Sequence, residues 1–315
     1  MIKVNKITKT YGEITALNNI SFDIGKGELF GFIGSDGAGK STLFRILCTL
    51  LLPDSGSVTI DGHDVVQNYQ QIRMITGYMP GRFSLYTDLT IEENLEFFAT
   101  VFGTTIKENY HLIRDVYVQI EPFKKRLAGK LSGGMKQKLA LSCALIHQPK
   151  ILILDEPTTG VDAVSRYEFW QLLKGLKEKG ITIVVSTPYM DEANLCDRIA
   201  LIQKGKIMKI DTPEKIVTSF RKPMFSIRSD KQYQILKVLR DFELTETVFP
   251  FGQELHYTPI RDITDIEIIK KHLEEKGFGK VTIKSLEPGI EDIFMSLMTM
   301  EMSEVTQPVN IYKNT

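Results

Sequence analysis

The sequence carries no surplus of charge: lysine plus arginine and aspartate plus glutamate both number 39, so the formal net charge is zero. Without a global basic field nothing drives non-specific binding to nucleic acid, and no nucleic-acid partner is expected. Cysteine is scarce as well. Cys48, Cys143 and Cys196 are odd in number, widely spaced and flanked by apolar residues, which gives neither a disulfide framework nor a zinc pattern and fits buried thiols in a reducing cytosol. Long apolar runs are missing too, since the longest stay well short of the ~20 residues a spanning helix needs. The opening MIKVNKITKTYG alternates apolar and polar residues and lacks the charged-then-apolar layout of a signal peptide. If this protein acts at a membrane, another chain must cross it.

What is present suits two domains. A chain of 315 residues exceeds one average domain and fits a large α/β domain plus a smaller one. Alternation from Ile2 to Ile24 reads as antiparallel strands, and Glu28 to Ile33 as a short apolar strand that enters a glycine-rich turn and a helix from about Lys40 to Leu51. From Tyr86 to about Ala128 the periodicity turns helical, which predicts an all-helical insertion, with the helical subdomain set at about 82–147. The apolar runs Ile151–Leu154 and Ile181–Ser186, separated by a helical stretch, imply a parallel sheet buried on both faces. A hairpin around Lys204-Gly205 and a short helix opened by Pro213 come next, and the first domain is expected to close near Thr218. Residues 219–302 then spell β-α-β-β-α-β, the order of a ferredoxin-like module, ending in a helix from about Ile290 to Met300. Residues 303–315 are polar and expected to form a flexible tail.

Residues 34–42 read GSDGAGKST, the P-loop pattern G-x-x-x-x-G-K-[ST], and they stand where its mechanism requires, between an apolar strand and a helix. Gly34, Ser35, Asp36, Gly37, Ala38, Gly39, Lys40, Ser41 and Thr42 are therefore candidate phosphate-binding residues. The glycines admit backbone N–H groups close to a β-phosphate, Lys40 brings an ammonium to the β- and γ-phosphates, and Ser41 is placed to ligate Mg²⁺. The run ILILDEP, Ile151 to Pro157, ends an apolar strand on two carboxylates. Asp155 then holds Mg²⁺ through water and Glu156 faces the attacking water. Alone, an apolar strand ending in Asp-Glu reads equally as a solvated acidic turn; the P-loop tips the balance.

LSGGMKQ, Leu131 to Gln137, precedes an apolar helix that leads into ILILDEP. P-loop, this stretch and the carboxylate strand, in that order, resemble the ATP-binding cassette (ABC) family of ATPases over about residues 2–218. The resemblance implies a P-loop fold with a parallel-sheet core, an antiparallel β subdomain and a helical subdomain, binding ATP and Mg²⁺. It further implies that two cassettes pack head to tail, each signature closing the other's site. On that basis Ser132, Gly133 and Gly134 would donate to a γ-phosphate held by the partner. Tyr11 matches the aromatic that stacks on adenine, the alternative being an ordinary strand tyrosine. Asp162, in TTGVD, matches the aspartate that faces the partner's site.

Two positions depart from the family. Gly81, in GYMPGRFSLY, stands where a glutamine touching Mg²⁺ and the attacking water is expected, and Pro188, in VVSTPYMDEA, stands where a histidine contacts the γ-phosphate. Glycine has no side chain for this role, and proline lacks even a backbone N–H. Losing one such group typically lowers a rate roughly 10²–10⁴-fold, so slow turnover with retained binding is expected at this chain's own P-loop. The intact signature and Glu156 point to service of a competent, heterologous partner cassette. An ordinary homodimeric transport ATPase and a soluble regulator outside any transporter are the alternatives. The family's exporters also pair with a separate membrane permease, which implies a peripheral cytoplasmic location and a groove for the permease lined by Arg82, Phe83, Leu85 and Tyr86; Phe83 and Tyr86 read equally as subdomain core.

Overall fold

The structure is a computed structural model that describes residues 1–260 and 264–306, with side chains described as far as residue 299. The chain divides into two compact units, Met1–Pro213 and Glu214–Thr315, a division that falls inside the short helix Pro213–Thr218 rather than after it.

The first unit opens with β1 (Ile2–Tyr11) and β2 (Ile14–Ile24), where Ile2 and Val4 on the first and Ile20, Phe22 and Ile24 on the second are buried in alternation. This period of two gives each strand one apolar face. Next come β3 (Leu29–Ile33), buried along its whole length, and α1 (Lys40–Leu47). The helix stops before the expected Leu51 because Thr49 takes a left-handed backbone, φ 58°, and the Leu50 amide turns back to the Arg45 carbonyl. The chain continues through β4 (Ser55–Ile60), β5 (His63–Asp64), α2 (Tyr69–Ile75) and β6 (Thr76–Met79), four elements that the sequence pattern does not mark out.

The helical subdomain holds α3 (Ile91–Val101), α4 (Ile106–Tyr117) and α5 (Gly133–Leu145). Thr90 with Glu93 and Thr105 with Glu108 form reciprocal capping boxes at the first two, each satisfying amides the helix leaves open. The chain returns through β7 (Ile151–Asp155), α6 (Ala163–Glu178), β8 (Thr182–Thr187), β9 (Arg198–Gln203), β10 (Lys206–Asp211) and α7 (Pro213–Thr218).

Two sheets result. One is antiparallel, ordered β2-β1-β4-β5; the other is ordered β10-β9-β3-β8-β7-β6, parallel from β9 to β6 with β10 added antiparallel. Because β3, β6, β7 and β8 run the same way, their C-terminal ends share one edge of the sheet. That edge carries the P-loop, Gly81, Asp155-Glu156 and Pro188, the place where open α/β sheets gather ligand-binding loops.

The second unit contains β11 (Met224–Arg228), α8 (Gln232–Arg240), β12 (Thr245–Phe251), β13 (Glu254–Pro259), α9 (Ile266–Glu275), β14 (Thr282–Leu286) and α10 (Ile290–Thr306). Its sheet is ordered β12-β13-β11-β14 with every neighbour antiparallel, the ferredoxin-like arrangement, over a core that includes Phe225, Ile235, Leu239, Leu255, Tyr257 and Leu273. α10 continues to Thr306, so the expected tail does not start at residue 303; residues 307–315 lie outside those described. Among the described residues no helix is long and apolar enough to cross a membrane. All three cysteines are buried and free.

Candidate functional site

Strand β3 delivers the chain to the P-loop, and the loop's course depends on glycine at two close approaches. A Cβ at Gly34 would lie 2.1 Å from the Ile202 carbonyl oxygen, and one at Gly39 would lie 2.4 Å from that of Ala16, where φ is also +105°. Gly37, at φ +76°, has open space around it. Gly39 caps α1 without a side-chain bond and no acidic residue occupies the first turn, so the helix N-terminus keeps its donors and positive end for an anion. Ser35 donates to Gln203 Oε1 at 2.7 Å, which ties the loop to β9, and Asp36 is exposed.

Lys40 is 3% exposed, yet its ammonium is held: Nζ donates to the Gly34 carbonyl at 2.8 Å and the Ser35 carbonyl at 3.0 Å, and stands 3.4 Å from Glu156 Oε1. Residues 37–42, Ala16 and Glu156 enclose a cavity of about 150 Å³. A buried cation, a helix N-terminus and free backbone amides around one small cavity make a phosphate cradle.

At the tip of β7, Asp155 is buried and accepts a 2.6 Å hydrogen bond from Ser186 Oγ. The same hydroxyl accepts from the Glu156 amide at 3.0 Å, so Ser186 of β8 fixes both carboxylate residues. Glu156 adopts a left-handed backbone, φ 49°, uncommon for a residue with a side chain and typical of strained functional turns. Burial raises the Cys48 thiol well above its ordinary range, and the charge of Asp155 adds to the effect.

Position 81 belongs to this group. A Cβ on Gly81 would lie 3.1 Å from the Asp155 carbonyl oxygen and 3.8 Å from Glu156 Cβ, so a side chain there would start against the carboxylate tip. Pro188 comes directly after Thr187, the last residue of β8, whose carbonyl accepts from the Gly34 amide at 3.4 Å. The two residues that depart from the resemblance thus flank the phosphate cradle, and neither offers a polar side chain.

A second group gathers elsewhere. Ser132 caps α5, accepting from the Met135 amide at 3.4 Å, and its hydroxyl hydrogen stays available. A Cβ at Gly134 would meet Ser165 Oγ at 2.7 Å, and one at Gly133 the Gly160 carbonyl at 3.3 Å, so these glycines let α5 pack on the start of α6. Asp162 caps α6, accepting from the Val164 and Ser165 amides and from Ser165 Oγ, and the Ser165 bonds hold its carboxyl below the usual range. None of Ser132, Gly133, Gly134, Asp162 and Tyr11 lines the phosphate cavity. Tyr11 stands at the end of β1, 46% exposed, with Lys9 Nζ 5.8 Å from its ring centre.

A family model described as ABC transporter matches residues 17–159. Over 305 residues the chain is 31% identical to the Nod factor export ATP-binding protein I of Rhizobium sp. (strain N33), covering 95% of this chain and 97% of that protein. The chain belongs to the ATP-binding proteins of the ABC transporter family. It is also 40% identical over 218 residues to the probable multidrug ABC transporter ATP-binding protein YbhF of Escherichia coli K12, a match that takes in 69% of this chain and 38% of that longer protein. Among solved structures, the dimeric post-hydrolysis ATP-binding cassette MJ0796 bound to ADP and Pi superimposes with a TM-score of 0.61 at 31% identity, covering 67% of this chain and 98% of that one.

The cassette's donor set is compatible with a nucleotide-bound Mg²⁺. Among the described residues no group of three or more histidine, cysteine, aspartate or glutamate side chains could hold a metal by itself. One hydroxyl, Ser41, and one carboxylate, Asp155, suit a hard cation whose remaining ligands are phosphate oxygens and water. Such an ion, when bound, would neutralise charge on the β- and γ-phosphates.

Sequence reasoning missed Ala16 and Ser186. Both act from strands that follow a simple apolar pattern, and nothing in that pattern marks one small residue as a wall of the cavity or as the clasp of the carboxylates. The residues named for a permease groove do not share one cavity. A cavity of about 440 Å³ opens between the core and the helical subdomain, lined among others by Cys48, Tyr78, Met79, Leu85, Phe98 and His147. Of Arg82, Phe83, Leu85 and Tyr86, Leu85 alone lines this cavity; Phe83 lies under Lys136 and Tyr86 packs edge-on against Phe97.

Proposed function

We propose that this chain is the ATP-binding subunit of an exporter, peripheral on the cytoplasmic face of the membrane, coupling ATP binding and hydrolysis to transport by a separate permease. Its own site is degenerate, and its signature serves a heterologous partner cassette. The carrying observation is the bare pair Gly81 and Pro188 beside an otherwise complete cradle, with Lys40, Asp155 and Glu156 in place. Binding rests on the cradle, whereas orienting the attacking water and contacting the γ-phosphate need the polar groups that these two residues lack. Glu156 and Ser132-Gly133-Gly134 are retained, which fits a chain that still takes part in a two-site dimer. The names of the relatives, one a multidrug and one a Nod factor export protein, support export as the direction.

The permease would seat a short segment in the cavity of about 440 Å³, whose lining includes the exposed apolar side chain of Leu50. The alternative is an ordinary homodimeric transport ATPase in which a rearranged loop tolerates Gly81 and Pro188. ATP binding and steady-state hydrolysis by the purified chain, beside a Gly81→Gln/Pro188→His double variant, separate the two. Tight binding with negligible turnover, raised at least tenfold in the variant, is expected for a degenerate site. Ordinary turnover in the unmodified chain would leave the homodimer.

A further inference from the structure

Glu192 sits in the 3-10 turn Met190–Leu195 after β8 and is 2% exposed. Its carboxylate collects three donors. Oε1 accepts from Thr158 Oγ1 at 2.8 Å and from Arg166 Nε at 3.2 Å, and Oε2 accepts from Thr187 Oγ1 at 2.5 Å. A carboxylate taken from water is costly unless paired and hydrogen-bonded, and this one is both. Its three donors come from three different elements: the turn after β7, the end of β8 and the first turn of α6.

Thr158 lies two residues beyond Glu156, in the turn where Thr159 bonds back to Glu156 through both its amide and its hydroxyl. Thr187 hands its carbonyl to the P-loop amide of Gly34, and its hydroxyl oxygen accepts from the Tyr189 amide at 3.0 Å, closing the turn over Pro188. Arg166 stands in the first turn of α6, its amide bonded to the Asp162 carbonyl, its guanidinium stacked 4.2 Å from Tyr189 and paired with Asp191. One buried carboxylate therefore ties the carboxylate turn, the turn at position 188 and the helix that Asp162 caps.

We propose that Glu192 is a positioning residue for ATP hydrolysis: it holds the Glu156 turn and the Pro188 turn in register with the P-loop and, through Arg166, links that register to Asp162 at the start of α6. This rests on the reading of the chain as a cassette whose own site, slowed by Gly81 and Pro188, still cleaves ATP at a rate that a single turnover resolves. Groups that act on a reacting phosphate must be held within about 0.5 Å, and a displacement near 1 Å costs about 10²-fold in rate. Nucleotide binding, which depends on the cradle, is not routed through Glu192.

The test is single-turnover hydrolysis of labelled ATP, which reads rates far below steady-state detection, together with ATP affinity and thermal midpoint. The proteins compared are the parent chain, Glu192→Gln, Thr158→Val and Thr158→Ser. Glu192→Gln is expected to slow cleavage about 10²-fold while leaving the ATP dissociation constant within about threefold of the parent. Thr158→Val, nearly isosteric but without the hydroxyl, should slow cleavage about tenfold, and Thr158→Ser should restore the parental rate. If Glu192→Gln does not fold, the two Thr158 variants decide the matter. Unchanged cleavage in the valine variant, or cleavage and affinity falling together with the midpoint, would overturn the assignment and leave Glu192 a stability residue. A parent that binds ATP without ever cleaving it overturns the assignment alone, and a parent that binds no ATP overturns the cassette reading with it.

Discussion

Replacing Lys40 with methionine keeps the buried aliphatic stem and removes the ammonium, and the contacts of that ammonium set the expected effect both without and with ATP. Without ATP the Gly34 and Ser35 carbonyls lose a charged donor and Glu156 loses its countercharge. Hydrogen bonds to charged groups contribute about 1.5–3 kcal/mol each, and relief from burying the ammonium offsets part of the two lost, so a net loss of about 2 kcal/mol is expected. For a unit the size of Met1–Pro213 each kcal/mol moves the midpoint about 2–4 °C, giving a fall of about 4–8 °C. With ATP at about 100 times its dissociation constant the parent gains ~2.7 kcal/mol, a rise of about 5–11 °C. If removal of the ammonium weakens ATP binding about 30-fold, the same ATP concentration stabilises the variant by only ~0.9 kcal/mol, a rise of about 2–4 °C. Thermal denaturation monitored by circular dichroism, with and without ATP, measures both. A variant whose ATP-induced shift matched the parent's would show that the nucleotide does not sit against Lys40.

Gly34→Ala and Gly37→Ala should separate fold from binding: the first drives a Cβ to 2.1 Å from the Ile202 backbone and is expected to cost about 1–3 kcal/mol in chemical denaturation, the second to cost about 1–2 kcal/mol, from its left-handed backbone alone, while weakening ATP binding. His147, buried against Phe102, has its pKa lowered to about 4 by desolvation, so between that value and the ordinary 6.5 the unfolded chain binds the extra proton. Stability should therefore fall as pH drops from about 6.5 towards 4, by on the order of 2–3 kcal/mol, and His147→Phe should flatten that slope in urea titrations across this range. Asp162 has the same sense in a more acidic window, because its depressed carboxyl contributes above the unfolded value of about 3.9 and the contribution is lost as pH falls through the folded value; Asp162→Asn should remove this acid limb, read as the midpoint below pH 4.

Local chemistry made much of the cassette legible in the sequence. The P-loop pattern and the apolar strands depend on residues a few positions apart, and a backbone turn or strand needs only those neighbours to form. The βαββαβ order of the second unit was readable for the same reason, because alternation and helical spacing are local periodicities. Elements weak in such signals were not legible: β5 is two residues long, and α1 ends where Thr49 turns left-handed in a stretch that stays apolar. The sequence by itself also determined that positions 81 and 188 hold no polar side chain. Only the tertiary structure decided that position 81 stands beside Glu156 and position 188 next to the Thr187 carbonyl that binds Gly34, that Ser186 clasps the two carboxylates, and that Glu192 ties together a turn, the end of β8 and α6. These partners lie 26 to 34 residues apart along the chain where Glu192 meets Arg166 and Thr158. Parallel strands brought to one sheet edge create such meetings, and no local pattern encodes which side chains will face each other across that edge.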